Sequence, residues 1–194
     1  EDAYQDYIDA NPDSFASPAT LAEVQAMITA VNTAQANILT QIGNEGDTPN
    51  TVNSVVTAAQ LASLSGITDV VAANEDAYQD YIDANPDSFS SPATLAEVQA
   101  MITAVNTAQA NILTQIGNEG DTPNTVNSVV TAAQLASLSG ITDVVAANED
   151  AYQDYIDANP DSFASPATLA EVQAMITAVN TAQANILTQI GNEG

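Results

Sequence analysis

Four aspartates in the middle of the chain have a spacing that suits cation binding. Asp76, Asp80, Asp83 and Asp87 stand at positions i, i+4, i+7 and i+11, which places them on a single stripe of a helix. Like charges at this spacing repel, and Asp83 lies near the negative C-terminal end of that helix. A hard cation such as Ca²⁺ takes carboxylate oxygens and would offset both effects. The alternative is a solvated acidic face whose charges are screened by salt.

A second group of oxygen donors lies in the turn GNEGDTPN. Asn118, Glu119 and Asp121 sit there at the junction between two copies of a repeat, where a bound Ca²⁺ would stiffen the chain. The spacing matches neither an EF-hand loop nor a Gly-rich nonapeptide repeat. The alternative is an ordinary polar turn in which Thr122 caps the segment that starts at Pro123. Calcium is therefore the candidate cofactor, with these three residues and the four aspartates as its candidate ligands.

The composition excludes most other chemistry. Lys, Arg, His, Cys and Trp are absent, while Asp and Glu number 25, so the formal net charge is −25. Acid–base catalysis by His or Lys and thiolate chemistry are excluded, and we expect no enzymatic activity. Binding to nucleic acid or to an anionic membrane surface requires cationic side chains, and no apolar run is long enough to span a bilayer. Because 45% of the residues are hydrophobic, the chain should nevertheless fold.

The elements that carry these residues recur with a period of 74 residues. The stretch SPATLAEVQAMITAVN begins at residues 17, 91 and 165 without a single change. The aligned copies differ in one column, which holds Ala16, Ser90 and Ala164 and which we interpret as exposed and neutral. Fixed-period repetition predicts an array of similar structural units. Since the chain starts and stops inside the repeat, we expect it to be part of a longer array.

The first helix of each repeat has a clear start signal. Thr131 and Gln134 have the spacing of a capping box, and Val130 with Leu135 has the spacing of a hydrophobic staple. Gly140 is the expected C′ residue at its end.

The second helix has two candidate starts, Thr68 and Asn74. Asn74 would cap the helix, and the acidic Glu75 suits the positive end of the helix dipole. Pro86 requires the helix to end before it, because the residue that precedes proline is pushed out of the helical region.

The third helix is the longest. Thr94 and Glu97 predict a second capping box, and apolar residues then recur at spacings of three and four until Gly117, which we expect to end the helix. Its C-terminal half carries an apolar stripe that the two shorter helices cannot cover, formed by Ile112, Leu113 and Ile116.

The next copy of the repeat is the nearest candidate to cover that stripe. The connection is short, and short connections between helices give antiparallel neighbours. The valines that would make the contact are Val126, Val129 and Val130. Their segment, TVNSVV, fits either an extended strand-like piece or an extension of the first helix. We therefore expect the end of one copy to pack against the start of the next.

These patterns predict an all-α fold built from tandem three-helix bundles that stack end to end into an elongated rod. The predicted divisions are a partial repeat at 1–46, with the second and third helices, and full repeats at 47–120 and 121–194.

The residue order L-x-x-L-x-G-I … Y-x-x-Y-I … T-L-A-E-V-Q-A-M-I resembles two groups of bacterial proteins. One is the GA-type three-helix module, and the other is the tandem helical repeat of giant cell-surface and secreted adhesins. The resemblance implies a three-helix fold and an extracellular or cell-surface location. Albumin binding is not carried over, since GA modules are shorter and rich in Lys.

Two functions are compatible with these observations. The first is a structural stalk or filament segment of a large acidic extracellular bacterial protein, whose partners are neighbouring repeats of the same chain. The second is a repeated protein-binding module, an adhesin or a self-assembling homopolymer, that uses the exposed face of the third helix. High negative charge keeps long arrays of either kind from aggregating.

Overall fold

The computed structural model describes residues 2–44, 54–118 and 128–192, and within these ranges the chain is helical and contains no strand. The predicted all-α class is confirmed. None of the helices in the described ranges combines the length and the apolar character needed to cross a membrane. The α-helices are α1 (Asp2–Ala10), α2 (Leu21–Asn44), α3 (Ala58–Ser63), α4 (Glu75–Ala84), α5 (Leu95–Asn118), α6 (Ala132–Ser137), α7 (Glu149–Ala158) and α8 (Leu169–Asn192).

The short helices α3 and α6 start as the sequence predicts. In α6 the backbone N–H of Gln134 donates to Thr131 Oγ1 at 3.1 Å, and the N–H of Thr131 donates to Gln134 Oε1 at 2.8 Å. This reciprocal pair is a capping box, and it satisfies two of the free N–H groups at the helix start. Gly140 has a φ of +82°, but it follows the C-cap Leu138 by two residues and so lies one residue beyond the predicted C′ position.

Helix α4 uses the second of its two predicted starts. A 3₁₀ turn at Ala72–Asn74 leads directly into Glu75, and the helix ends at Ala84 before the proline, as predicted. The expected cap by Asn74 is wrong, since its side chain makes no capping hydrogen bond. The physical reason is its backbone, with φ −92° and ψ 14°, which lacks the extended conformation that points an N-cap side chain at the helix.

Helix α5 has the predicted capping box but not the predicted end. The N–H of Thr94 donates to Glu97 Oε2 at 2.7 Å, and the N–H of Glu97 donates to Thr94 Oγ1 at 3.3 Å. The helix then continues for 24 residues and includes Gly117, so the prediction that this glycine ends the helix is wrong. Gly117 has a packing role instead, which the next section describes.

The chain forms two compact units, unit 1 at Glu1–Val105 and unit 2 at Asn106–Gly194. The division falls within α5, so the first half of that helix belongs to unit 1 and the second half to unit 2. The predicted limits 1–46, 47–120 and 121–194 were placed from the 74-residue period of the sequence. This division of the array stays a prediction.

The core of each unit combines four helical segments. These are the second half of a long helix, the short helix, the middle helix and the first half of the next long helix. The core of each predicted three-helix bundle thus also includes the C-terminal half of the long helix from the preceding copy. The buried residues of unit 2 are Ile112, Ile116, Val130, Leu135, Leu138, Tyr152, Ile156, Ala167, Val172, Met175, Ile176 and Val179. Unit 1 buries the corresponding residues 74 positions earlier.

Candidate functional site

The ends of the long helices α2 and α5 are each inserted into the core formed by the following copy of the repeat. In unit 2, Ile112 and Ile116 belong to the same buried cluster as residues of α6, α7 and α8, and Leu113 packs against it. Ile116 is 0% exposed. The prediction that the next copy buries this stripe is confirmed. We call this arrangement the helix-end interlock.

Backbone contacts hold the interlock in register. The N–H of Ala167, just before α8, donates to the carbonyl oxygen of Leu113 at 2.9 Å, and the hydroxyl of Ser165 donates to Asn118 Oδ1 at 3.0 Å. Unit 1 has both hydrogen bonds: the N–H of Ala93 donates to the carbonyl oxygen of Leu39, and the hydroxyl of Ser91 donates to Asn44 Oδ1. The loop that makes these contacts contains a cis bond between Ser165 and Pro166.

Gly117 allows this loop to approach the helix. A Cβ placed on Gly117 would lie 2.4 Å from the carbonyl oxygen of Ala164 and 2.6 Å from the amide nitrogen of Ala167. Both are backbone atoms, so they cannot move aside as a flexible side chain would. A Cβ placed on Gly43 would overlap the backbone of the corresponding loop of unit 1, at Ser90 and Ala93. The glycine is therefore required at this helical position by close backbone approach.

A glutamine about two helical turns before Gly117 joins the long helix to the end of the short helix. In unit 2, Gln109 Nε2 donates to the carbonyl of Ser137 at 2.6 Å, and the N–H of Ser139 donates to Gln109 Oε1 at 3.0 Å. Gln109 is buried, and its side-chain amide serves as donor to one backbone group and as acceptor for another at the C-terminal end of α6. Sequence reasoning missed this residue, because a polar residue on a long helix looks like part of the solvated face.

The valine segment before the short helix contributes less than predicted. Val130 is fully buried in the core of unit 2, whereas Val129 is exposed, and Val126 lies outside the described residues. Residues 128–130 have no regular secondary structure, so the described part of TVNSVV is not an extension of the helix.

Acidic side chains of α4 accept hydrogen bonds from the backbone just before α3 and from its first residue. The N–H of Ser54 donates to Asp83 Oδ1 at 2.7 Å, and the N–H of Ala58 donates to Glu75 Oε2 at 2.7 Å. Unit 2 has the same two bonds, at 2.8 Å each, to Asp157 and Glu149. Since no cationic side chain exists in the sequence, backbone N–H groups are the donors that meet these carboxylates.

The four aspartates predicted as calcium ligands on the middle helix lie in different surroundings in the structure. Asp76 and Asp80 are exposed on α4, and Asp83 is half-buried against Ser54. Asp87 is not on the helix as predicted but in the 3₁₀ turn Pro86–Ser88, because α4 ends before the proline. Within the described ranges, no three His, Cys, Asp or Glu residues form a group that could hold a metal ion. Calcium binding by this stripe stays a prediction.

The candidate ligands at the junction are only partly described. Asn118 is the last residue of α5, and its side-chain oxygen accepts the hydrogen bond from Ser165. Glu119 and Asp121 lie outside the described residues. The junction site also stays a prediction.

The one variable position of the repeat contacts the helix cap. Ser90 donates from its hydroxyl to Glu97 Oε1 at 2.5 Å and from its N–H to Glu97 Oε2 at 3.1 Å. Ala164 donates only its N–H, at 3.1 Å, to Glu171. The Ser90 hydroxyl is the largest cause that lowers the pKa of Glu97 to about 2, and the N–H groups of Thr94 and Ser90 add to it. The position is exposed, as predicted, but the exchange changes the carboxylate's hydrogen bonding.

Sequence comparison finds similarity at the same helix ends. Three segments match the family model described as the RtxA repeat, at residues 33–48, 107–122 and 181–194. The matches begin 74 residues apart, and each covers the second half of a long helix, the half that carries the residues of the interlock. No curated protein and no solved structure gave a match to the chain. The likeness to the GA-type module stays a prediction. The chain is thus similar, over these segments, to a repeat that occurs in secreted bacterial proteins.

Proposed function

We propose that this chain is a spacer segment, a stalk in a large extracellular bacterial protein, in which each repeat adds a fixed increment of length. The observation that carries the proposal is the helix-end interlock. In both units the last turns of one long helix are buried in the core of the following copy. Copies joined through a shared core are coupled along the chain, whereas copies joined by a polar linker would move independently.

The charge and the composition suit such a role. A net charge of −25 makes parallel copies of the chain repel each other, which opposes lateral aggregation of long arrays. The absence of Lys and Arg removes every site at which a trypsin-like protease cleaves. The similarity to the RtxA repeat supports a secreted or cell-surface location and a repeat without a catalytic role. The proposal assigns no reaction and no cofactor to the chain.

Small-angle X-ray scattering of lengthened chains tests the proposal. The 194-residue chain would be compared with chains extended by one and by two further 74-residue copies. A spacer of coupled repeats should add an equal increment to the maximum dimension with each copy. A maximum dimension that grows less with each added copy contradicts the proposal.

A variant of the interlock supplies the matched control. Ile116→Asp places a carboxylate in the core of unit 2, and should uncouple the second half of α5 from α6, α7 and α8. Thr114→Asp adds the same charge on the exposed side of the same helix. If the interlock sets the length, the Ile116→Asp chain should scatter as a more expanded and flexible molecule, and the Thr114→Asp chain should match the wild type.

A further inference from the structure

Tension along the chain reaches unit 2 through its two long helices. The chain enters this unit along α5, which runs without a break from Leu95 to Asn118, and it continues beyond the core along α8. The segment between these two helices contains α6 and α7. A pull on the two ends of the chain therefore acts on unit 2 at α5 on one side and at α8 on the other.

The end of α5 and the start of α8 are held directly to each other. Asn118 accepts the hydrogen bond from the hydroxyl of Ser165 at 3.0 Å, although the two residues are 47 positions apart in the sequence. Next to it, the N–H of Ala167 donates to the carbonyl oxygen of Leu113 at 2.9 Å. We call these two hydrogen bonds, together with the close backbone approach at Gly117, the long-helix clamp. Unit 1 has the same clamp between α2 and α5.

The clamp shields the segment between its two sides from tension. As long as Asn118 and Ser165 stay together, the connection between them is slack, and neither end of α6 or α7 is pulled. These two helices contribute buried residues to the core, among them Leu135 and Tyr152, but they lie outside the direct route from α5 to α8. The clamp must therefore open before this part of the chain can extend.

We propose that the long-helix clamp is the contact that resists tension in each unit, and that its opening releases the shielded segment as reserve length. The 47 positions from Asn118 to Ser165 span at most about 150–170 Å when the chain is fully extended. A stalk of this kind keeps its length under low load and lengthens stepwise, unit by unit, under high load. This inference rests on the proposed function, since a stalk that connects two objects is the setting in which the chain carries tension.

The clamp can be tested apart from the overall stability of the unit. Opening under force is governed by the rate of unfolding and not by the free energy of unfolding. Contacts that break before the barrier, such as those of the clamp, control this rate. Contacts inside the shielded segment are still formed at the barrier, so their loss should leave the rate unchanged.

Two exposed serines provide a matched pair of substitutions. Ser165 donates its hydroxyl across the clamp, whereas Ser137, in α6, donates its hydroxyl to the carbonyl oxygen of Gln134 at 2.7 Å. Ser165→Ala and Ser137→Ala each remove one exposed hydroxyl and one hydrogen bond. The first change is on the clamp, and the second is inside the shielded segment.

A second pair of substitutions makes larger changes. Gly117→Ala places a Cβ 2.4 Å from the carbonyl oxygen of Ala164, so the two sides of the clamp must move apart. Thr131→Ala removes the capping box of α6 and lowers the stability of unit 2 without touching the clamp. Circular dichroism without load establishes that each variant is folded. If Gly117→Ala does not fold, Ser165→Ala alone decides the outcome.

Optical or magnetic tweezers that hold the 194-residue chain by its two ends at constant force measure the lifetime of each folded unit. The wild type should extend in one large step for each of its two units, and each step should release about 150 Å or more of contour length. Ser165→Ala should shorten one of the two lifetimes by about twofold to tenfold, the factor expected for the loss of one hydrogen bond. Gly117→Ala should shorten the same lifetime by about tenfold or more, because the backbone overlap disturbs both hydrogen bonds.

The shielded variants should behave differently. Ser137→Ala and Thr131→Ala should leave both lifetimes within about twofold of the wild type, although Thr131→Ala lowers the stability of unit 2 without load. Unit 1 is unchanged in all four variants, so its lifetime is the reference within the same molecule.

Three results would overturn the inference: clamp variants that leave both lifetimes unchanged, a Ser137→Ala chain that opens as fast as the Ser165→Ala chain, and gradual extension without large steps. Failure of the proposed function is recognised separately, because it appears in the scattering of lengthened chains that carry no load. Chains that lengthen regularly in scattering, but whose opening under force does not depend on Ser165 or Gly117, would leave the spacer intact and remove only the clamp.

Discussion

Replacing Ile116 by alanine should destabilise unit 2, whereas the same replacement at Ile190 should have almost no effect. The two residues occupy the same position of identical helices, so the local sequence and the change in side chain are the same in both variants. They differ in their surroundings, because Ile116 is 0% exposed and Ile190 is 66% exposed. The comparison therefore isolates the contribution of the helix-end interlock.

The expected magnitude follows from this difference in burial. Truncating a buried isoleucine to alanine removes apolar burial and leaves a cavity, which together cost about 2–5 kcal/mol. At Ile190 the lost contacts are few, and alanine favours the helix by a few tenths of a kcal/mol, so the net change should stay within about 0.5 kcal/mol. Since a domain is stable by only about 5–15 kcal/mol, Ile116→Ala should shift the unfolding of unit 2 visibly.

Urea unfolding followed by far-ultraviolet circular dichroism, at low protein concentration, measures both variants. With an m-value of about 1–2 kcal/mol/M, a loss of about 2–5 kcal/mol should lower the urea midpoint of unit 2 by roughly 1–5 M in Ile116→Ala. Part of the helical signal should then be lost before the remainder, which belongs to unit 1. Ile42→Ala should produce the corresponding early transition for unit 1, because Ile42 is also fully buried. If Ile116→Ala and Ile190→Ala unfold at the same urea concentration, the interlock does not stabilise the fold and the reasoning is refuted.

Three further predictions concern the caps and the acidic stripe. Thr131→Ala removes the capping box of α6 and should lower the stability of unit 2 by about 0.5–2 kcal/mol in thermal unfolding, while the exposed Thr188→Ala should leave it unchanged. Ser90→Ala should raise the pKa of Glu97 in an NMR titration of its carboxyl carbon, because the hydroxyl is the largest cause of the low value of about 2. The depressed pKa stabilises the fold above the unfolded value of about 4.5 and this contribution is lost as pH falls toward 2, so wild type and Ser90→Ala should converge in Tm over that window. A calcium site on the stripe requires the Tm to rise in millimolar Ca²⁺ above the Tm at equal ionic strength in NaCl, and Asp80→Asn to remove the rise; an unchanged Tm eliminates that site.

The parts of the fold that sequence reasoning predicted are those that depend on neighbours along the chain. The two members of a capping box, such as Thr131 and Gln134, stand three positions apart, and the end of the helix before Pro86 depends on a single backbone clash. The burial of Ile112 and Ile116 was also predictable, because an apolar stripe that exceeds the length of its own bundle must find a partner.

Two of the wrong predictions concern residues whose role depends on packing between distant segments. Gly117 was expected to end the helix, since glycine is common there, but the loop at Ala164 and Ala167 requires a residue without Cβ inside the helix. Val129 was expected to be buried, but of the two adjacent valines only Val130 lies on the inner side of an irregular segment. Neither result follows from local propensity, because both depend on where a chain segment many residues away approaches.

One candidate cation ligand, Asp83, accepts a hydrogen bond from a backbone N–H group, as do two glutamates that the sequence did not suggest as ligands. In a chain without Lys, Arg or His, a carboxylate that packs against the fold must accept hydrogen bonds from N–H or O–H donors. Asp83 does so just before α3, Glu75 does so at the first residue of α3, and Glu97 does so at the start of α5. Asp76 and Asp80 remain exposed and contribute to repulsion between chains. Among these carboxylates, Glu97 has a pKa lowered to about 2 by hydrogen bonds from the Ser90 hydroxyl and from the N–H groups of Thr94 and Ser90. The stability that these hydrogen bonds give is therefore present above about pH 4.5 and is lost as the pH falls toward 2.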